Sequence, residues 1–341
     1  MKTYIGALAL LSLIPLARAE SGVSIFGTAD IGLRSVKLGS SGSITTVTSN
    51  GLSTSKLGFK GEEALGGGSY AGFWLESGFL PDTGAMSDST KFFNRRSTVS
   101  LGSARYGELR IGRDYTPTYS ALSASGPFGD TGLGAISNIA NVVSSGARTF
   151  TRADNQVAYF LPSMNGVTGA VAFALGEGVA GARYRGGNLG YAQGPMRLLV
   201  GVGRTAAVAG DFTQWIATGS YDLVAATLYG AYVRGTYRTN RQSTYQVAVG
   251  IPVGNGLVKA SYTIGDMQGP TVAGAAVSDA DDVKRIAIGY TYNLSKRTAL
   301  YTTAVRLQNQ GRSAFSLAAA PAGYFPGQSN TGFDVGIRHN F

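Results

Sequence analysis

The sequence contains no cysteine and a single histidine among its 341 residues. Without cysteine no disulfide can stabilise the fold, and the usual cysteine and histidine ligands of a zinc site are missing. A Ser-His-acid triad would have to use His339, close to the end of the chain, and neither Gly-x-Ser-x-Gly nor a Walker-type phosphate loop occurs. The sequence therefore predicts a protein that is not an enzyme and that uses no cofactor or metal.

Charged residues make up only 14% of the chain, and no run of 18 or more apolar residues follows residue 19. A helical membrane bundle needs such runs. A disordered chain would have fewer hydrophobic residues than the 44% found here. A soluble all-β protein and a transmembrane β-barrel remain.

The first 19 residues have the form of a removable signal peptide. Lys2 is basic, residues 5–16 are mostly apolar, and the Ala-Arg-Ala sequence at 17–19 fits a small-x-small cleavage site. We therefore expect an exported protein with one domain over 20–341. Loss of the two basic residues in the signal peptide lowers the net charge from +10 to +8. Because an exported protein seldom meets nucleic acid, this excess favours small anionic solutes and no nucleic acid.

Alternation of apolar and polar residues with a period of two recurs along 20–341. In the first such segment Val23 and Leu33 lie on one face, and Asp30 and Arg34 lie on the other. The segment has about twelve residues, whereas a soluble strand has about five or six and a tilted membrane strand about ten. Sixteen strands are predicted, at about 23–34, 56–60, 71–76, 96–101, 108–112, 153–161, 166–176, 184–193, 196–205, 211–222, 223–235, 242–252, 256–266, 283–293, 297–309 and 330–341.

The links between these segments alternate between short and long. Short turn-type links contain Asn165-Gly166, Gly194-Pro195 and similar pairs. Long links are predicted at 37–52, 80–91, 115–151, 267–281 and 310–329. Short links on one side and long loops on the other are typical of an outer-membrane barrel, and closure removes exposed sheet edges without disulfides. Aromatic residues near strand ends support the barrel: Tyr290, Tyr292, Tyr301, Phe333 and Phe341.

A basic set lies on the polar face of the predicted strands: Arg34, Lys56, Lys60, Arg96, Arg110 and Arg338. Facing lipid, each would cost roughly 2–4 kcal/mol at the midplane, so we expect the set to face water. The alternative is the solvated face of a soluble sheet. Inside a narrow pore such charges would enrich anions. The carboxylates Asp30, Glu76 and Glu108 share this face, and we expect them to pair with nearby Arg or Lys.

Several segments together resemble the Gram-negative general porins of the β-proteobacterial type, close to the anion-selective type of the Comamonas group. They are SKLGFKGEE at 55–63, FWLESGF at 73–79, RRSTVSL at 95–101, GELRIGR at 107–113, RADN at 152–155, NLSKRTALY at 293–301 and GIRHNF at 336–341. The resemblance implies a homotrimer of sixteen-stranded antiparallel barrels in the outer membrane. It also implies that the third external loop, about 115–151, folds into the pore.

The resemblance further implies a basic cluster at the constriction, formed by Lys56, Arg113 and Arg152. Arg148 is a further lumen candidate, together with the set above. Many family members carry Arg at the position of Lys56. Asp130 is either a constriction acid or a turn cap, and no acid follows it up to residue 151. This shortage of loop acids favours anions over cations.

Phe341 resembles the terminal signal that the outer-membrane assembly machinery reads, and it could also anchor the chain at the membrane interface. Outer-membrane lipid and lipopolysaccharide are further expected partners. Asp279, Asp281 and Asp282 could bind calcium or form a solvated loop. The alternative functions are a channel specific for phosphorylated compounds or organic acids, and an outer-membrane enzyme or adhesin.

Overall fold

The computed structural model describes residues 22–39, 42–140, 143–269, 279–317 and 326–341. The predicted signal peptide lies outside these ranges, and so do parts of the long loops at 40–41, 141–142, 270–278 and 318–325.

Within the described ranges, no helix is both long enough and apolar enough to cross a membrane.

The chain forms one antiparallel sheet of seventeen strands. The strands are β1 Gly22–Leu38, β2 Ser43–Ser49, β3 Lys56–Gly66, β4 Ser69–Gly78, β5 Arg96–Ser103, β6 Gly107–Tyr115, β7 Arg152–Phe160, β8 Val167–Ala174, β9 Tyr184–Gln193, β10 Met196–Ala207, β11 Gly210–Asp222, β12 Thr227–Tyr237, β13 Asn240–Val253, β14 Gly256–Gln268, β15 Val283–Asn293, β16 Thr298–Asn309 and β17 Ser329–Asn340. One helix, α1 Pro117–Ser123, and a 3₁₀ turn at Ile136–Asn138 lie between β6 and β7.

The sheet closes on itself because β17 pairs with β1 from Thr28↔Asn340 to Leu38↔Asn330. On its other side β1 pairs with β3 along its first half and with β2 along its second half. Strands β2 and β3 therefore share one position around the barrel, and the prediction of sixteen strands in an antiparallel barrel is confirmed. The prediction of a loop over 37–52 is wrong, because β1 continues to Leu38 and gives β2 an edge with which to pair.

Apolar side chains face outward. Val99 and Leu101 are 66% and 55% exposed, whereas Ser100 between them is 9% exposed and Arg34 on β1 is 4% exposed. The same alternation runs along the other strands. A continuous exposed apolar belt needs a hydrocarbon surrounding, so the polar face lies inside the barrel.

Tyr301 is the exception among the aromatic residues predicted at the interface. It is buried on the inner face, and its hydroxyl donates to Asp30 Oδ1 at 2.8 Å. The reason is parity, because Tyr301 lies on the same side of β16 as Thr303 and Val305. Tyr292, Phe333 and Phe341 are exposed, as expected for an aromatic girdle.

The loop at 116–151, here called the inner loop, folds into the barrel. Helix α1 begins where the Thr116 hydroxyl accepts from the Tyr119 amide and Pro117 occupies the first turn, so part of the inner loop has regular structure. Two apolar clusters join the loop to the inner wall. One contains Phe128, Leu133 and Ile139 with Val36, Val283, Val305 and Leu307, and the other contains Tyr119, Leu122 and Ile136 with Ile216 and Val233. The core of the protein therefore lies within the lumen, between loop and wall.

Candidate pore constriction

A cavity of about 450 Å³ lies where the inner loop approaches the wall formed by β3 to β6. The wall contributes Lys56, Arg95 and Arg96, and the loop contributes Asp130 and Thr131. Loop and wall are joined here, since the Thr131 hydroxyl donates to the Asn50 carbonyl at 3.3 Å. The narrow part of the lumen therefore has cations on one side and a single carboxylate on the loop side.

Glu76 lies between two of these cations. Its Oε1 accepts from Arg95 Nε at 2.6 Å, and Lys56 Nζ is 3.7 Å from its Oε2. Arg95 also donates to the hydroxyl of Tyr115 at 3.3 Å. The carboxylate thus holds Arg95 rigidly, while Lys56 keeps a looser contact. Sequence reasoning missed Arg95, and the only signal was its place in the Arg95-Arg96 pair at the start of β5.

Tyr115 connects Arg152 to this cavity. The Arg152 guanidinium lies 4.1 Å above the Tyr115 ring, and the Tyr115 hydroxyl donates to Asp130 Oδ2 at 3.3 Å. Within the described ranges Arg152 forms no ion pair with a carboxylate, and its Nε has no hydrogen-bond partner. Arg152 therefore adds a positive charge that no nearby acid neutralises. Asp130 is part of the cavity lining.

More cations lie on the wall towards the short turns. The Arg96 guanidinium lies 4.5 Å from the centroid of the Trp74 ring, and Arg96 Nε is 3.4 Å from Asp114 Oδ2. Lys60 Nζ lies 5.1 Å from the centroid of the Trp74 ring. Arg110 bonds to Glu108 at 3.0 Å and to Asp114 at 2.7 Å. These residues border a second cavity of about 350 Å³. The positive wall therefore continues beyond the constriction.

Two predicted site residues lie elsewhere. Arg113 on β6 lies opposite a bulge in β7 and is in register with Ser97 on the outward side of β5. It donates to Asp154 Oδ1 at 2.6 Å and to the Asn94 carbonyl at 2.7 Å. Arg148 has an exposed side chain, and its amide donates to the Gly181 carbonyl at 2.8 Å. Of the predicted cluster, Lys56 lines the cavity and Arg152 stacks on Tyr115, which lines it, whereas Arg113 and Arg148 have neither contact among the described residues.

Arg34 on β1 and Arg338 on β17 face inward on two paired strands next to the wall of β3 to β6. Arg34 is buried and pairs with Asp334 at 2.9 Å. Arg338 is in register with Asp30 on β1. The expected pairing of the acids with basic residues holds for Glu76 and Glu108 but is wrong for Asp30.

Asp30 instead accepts from the amides of the chain that joins β2 to β3. The amides of Gly51, Leu52 and Ser53 donate to its carboxylate at 3.0, 2.9 and 2.6 Å. The chain turns inward there and presents three amides that would otherwise be unpaired. Asp30 therefore positions the segment that carries Leu52 to Thr54 into the constriction.

Arg285 on β15 holds the inner loop from the other side, and sequence reasoning missed it. Its guanidinium is fully buried and donates to the carbonyls of Ala135 at 2.5 Å and Gly134 at 2.8 Å, and to Thr263 at 3.2 Å. Its inward parity between Val283 and Ala287 could be read from the sequence, but its loop partners could not. Lys259 on β14 is a second missed cation, 5.0 Å from the Phe128 ring.

The loop itself adds little negative charge. Burial raises the pKa of the Tyr119 phenol, so this side chain stays neutral at any physiological pH. No Asp or Glu occurs between residues 131 and 151. Asp130 is therefore the one acid that the middle of the loop brings to the cavity.

The acidic group near residue 280 is not a simple solvated loop. Asp281 is buried and accepts from the Arg312 amide at 2.8 Å, with the Arg312 guanidinium 3.5 Å away. In the part of the chain that the structure describes, no three acidic or histidine side chains are arranged to hold a metal ion.

Known proteins match both the sequence and the fold. The model of the Gram-negative porin family matches residues 7–312. Outer membrane porin protein 32 of Delftia acidovorans is 35% identical over 363 aligned residues that cover 100% of both chains. The solved structure of an anion-selective porin from Comamonas acidovorans has a TM-score of 0.85 at 34% identity, covering 94% of this chain and 100% of that one. OmpT of Vibrio cholerae, solved in a trimer form, shares the fold with a TM-score of 0.67 at 15% identity, covering 94% of this chain and 99% of that one.

The resemblance read from the sequence motifs is thus confirmed by matches over nearly the whole chain. Since the family match alone covers most of the residues, the protein belongs to the Gram-negative porins, which are channels of the bacterial outer membrane and not enzymes.

Proposed function

We propose that this porin passes small hydrophilic solutes by diffusion and prefers anions. The observation that carries the proposal is the charge at the constriction. Among the described residues, Lys56, Arg95 and Arg96 line the cavity together with Glu76, Asp114 and Asp130, and Arg152, stacked on Tyr115, adds the charge that makes the site positive. One relative with the same fold is named an anion-selective porin, which supports the proposal.

The geometry suggests how the preference arises. Low-dielectric walls focus the field of fixed charges in a narrow opening, so anions enter at a lower free energy than cations. Arg95 and Arg152 keep their charge at all relevant pH values and are held by Glu76 and by the Tyr115 ring. Each cation already contacts an acid or a ring, so its attraction for a passing anion stays weak enough to allow release.

The test is the zero-current potential of the purified protein in a planar bilayer with a potassium chloride gradient. We expect a potential whose sign reports chloride moving more readily than potassium. A sign that reports potassium preference at neutral pH would reject the anion preference while leaving the channel function intact.

A channel specific for organic acids is the second candidate. The observation in its favour is Trp74, whose ring lies between Lys60 and Arg96 beside the second cavity and 5.0 Å from the Phe26 ring. Such a site would bind one ligand class, so ion current should be blocked in a saturable way by organic acids. Current that responds only to ionic strength would exclude this candidate.

We further infer the processing and assembly of the chain. Residues 1–19 would be removed on export, which mass spectrometry of the outer-membrane form would test. We infer that three copies assemble, as OmpT does in its trimer form, and crosslinking in native membranes would test this. Phe341 would serve as the assembly signal. Its backbone pairs with Gly27 while its ring is 47% exposed, so the ring is available for recognition.

A further inference from the structure

The inner wall carries a slot whose shape the charge at the constriction does not explain. On β4 the inward positions Tyr70, Gly72 and Trp74 follow one another, so a residue without a side chain lies between two aromatic residues. Because alternate residues of a strand are about 7 Å apart, the two aromatic residues are about 13 Å apart along β4. All three border the second cavity of about 350 Å³. We call the surface formed by Tyr70, Gly72, Trp74 and Ser100 the wall slot.

Small residues form the floor of the wall slot. Gly72 lies opposite Ser100 on β5. A Cβ atom added at Gly72 would have Ser100 Oγ at 3.2 Å and the Gly61 carbonyl at 3.4 Å as its nearest neighbours, and both belong to the wall. The Tyr70 ring lies over Gly102, where an added Cβ atom would clash with it. The floor therefore leaves room for a flat ring between the two aromatic side chains.

Two cations lie at the Trp74 end of the wall slot. Lys60 Nζ is 5.1 Å from the centroid of the Trp74 ring, and within the described ranges it forms no ion pair. The Arg96 guanidinium is 4.5 Å from the same centroid. Its Nε donates to Thr98 Oγ1 at 3.0 Å and lies 3.4 Å from Asp114, but among the described residues its two terminal nitrogens have no hydrogen-bond partner. An ammonium and the end of a guanidinium together form a binding site for a carboxylate.

The other charges beside the wall slot limit the charge of its ligand. Arg110 is bound by Glu108 at 3.0 Å and by Asp114 at 2.7 Å, so it retains little attraction for an anion. Glu62 is in register with Gly72, and in the part of the chain that the structure describes it has no ion pair. Because this acid would repel a second negative group, a ligand with one negative charge fits the site better than a dianion.

We propose that the wall slot binds aromatic monocarboxylates on their way through the pore. The ligand ring lies over Gly72 between Tyr70 and Trp74, and its carboxylate accepts hydrogen bonds from Lys60 and Arg96. Trp74 and Arg96 also border the constriction cavity, so a solute that passes the constriction meets the slot directly. The inference rests on the proposed channel function and names a solute class for it.

Block of the chloride current by benzoate and by cyclohexanecarboxylate tests the proposal. The two acids carry the same charge on a six-membered ring, but only the first ring is flat and can stack on aromatic side chains. The measurement is the concentration of each acid that halves the chloride current through channels in a planar bilayer at neutral pH. For the wild-type protein we expect benzoate to act at about one-fifth of the concentration that cyclohexanecarboxylate needs.

Three variants separate ring contacts from charge. Gly72→Val should bring the two blocking concentrations together, because the valine fills the floor and the Ser100 hydroxyl can rotate away from the new Cβ atom. Gly230→Val is the matched control on the exposed face of β12, where an added Cβ atom meets nothing within 4 Å, and it should keep the wild-type ratio. Lys60→Gln should weaken block by both acids and leave their ratio unchanged, since it removes charge but no ring.

Tryptophan fluorescence gives a second measurement that does not depend on conduction. Trp74 and Trp215 are the two tryptophans of the sequence, and Trp215 is 53% exposed on the outer face. In the Trp215→Phe variant, 3-nitrobenzoate should quench Trp74 with the same half-saturating concentration that blocks the current. Adding Gly72→Val should raise that concentration about fivefold.

Two results would overturn the proposal. Equal block of the wild-type channel by the two acids would mean that the charges of the lumen bind them without help from the slot. A wild-type ratio retained in Gly72→Val would mean that the aromatic ring binds elsewhere. In either case a chloride preference measured in the same bilayers would leave the proposed channel function intact.

Discussion

The two halves of the barrel interior differ in what lies against them. On the wall of β3 to β6 the inward residues are charged and border open cavities. On the wall of β11 to β16 the inward positions include Ile216, Val233, Val283 and Val305, and the inner loop covers them. Alternation therefore determines which way a side chain points, and apolar side chains occupy inward positions where the inner loop covers them, beside buried polar residues such as Arg285. We expect the open half to select solutes, and the covered half to set the size of the opening by holding the inner loop.

The largest effect is expected where the loop packs on the covered half. Leu133→Ala removes a fully buried side chain from the cluster with Val305 and Leu307 and should cost about 2–5 kcal/mol of local stability. We expect larger and noisier single-channel conductance as the loop loosens. Leu109→Ala, on the lipid face of β6, is the matched control and should conduct like the wild type.

Arg285→Met should have a smaller effect of the same kind. The variant leaves the carbonyls of Gly134 and Ala135 without their donor, at a cost of about 1–3 kcal/mol. We expect a wider distribution of conductance levels, with selectivity little changed. Arg306→Met on the outward face of β16 serves as the control. A distribution of conductance levels as narrow as that of the wild type would show that Arg285 does not hold the loop.

Ion selectivity should depend on where a positive charge lies on the open half, and not only on the number of charges. Arg152→Gln removes a cation at the constriction, whereas Arg113→Gln removes one bound to Asp154 outside the cavity. We expect the zero-current potential to shift towards zero for Arg152→Gln and to stay near the wild-type value for Arg113→Gln. Equal shifts would mean that Arg113 also acts on the pore, as the sequence motif suggests.

The smallest effect is expected from Lys56→Arg. The charge is conserved, but the planar guanidinium can bind Glu76 at two points where Lys56 Nζ is 3.7 Å away. We expect a slightly lower anion preference, because the acid would hold this cation more tightly. A shift of the zero-current potential larger than that of Arg152→Gln would contradict the assigned contacts.

Most of the barrel could be predicted from the sequence, but the contacts in its interior could not. Strand number, the outward apolar face and the inward basic set follow from strict alternation. Arg113 shows where the motif and the alternation disagree, because Arg113 has the outward parity of Leu109 and Ile111 on β6. On the neighbouring β7, Asp154 and Asn155 together lie opposite Arg113, and this extra residue changes the face of the preceding residues of β7 relative to the count.

Contacts between segments far apart in the sequence also could not be predicted from the alternation of residues. Asp30 binds amides of residues 51–53, and Arg285 binds carbonyls 150 positions earlier in the chain. Both acceptor and donor groups belong to the backbone, which has no residue-specific signature. Helix α1 is short, and its apolar residues pack on a wall that exists only after the barrel closes.

The most direct test of the account is the zero-current potential of Arg95→Gln/Arg152→Gln in a potassium chloride gradient, measured beside Arg113→Gln/Arg148→Gln. Both double variants lose the same charge, but only the first loses it at the constriction. We expect the first double variant to lose most of the chloride preference and the second to keep it. Equal potentials for the two double variants would contradict it.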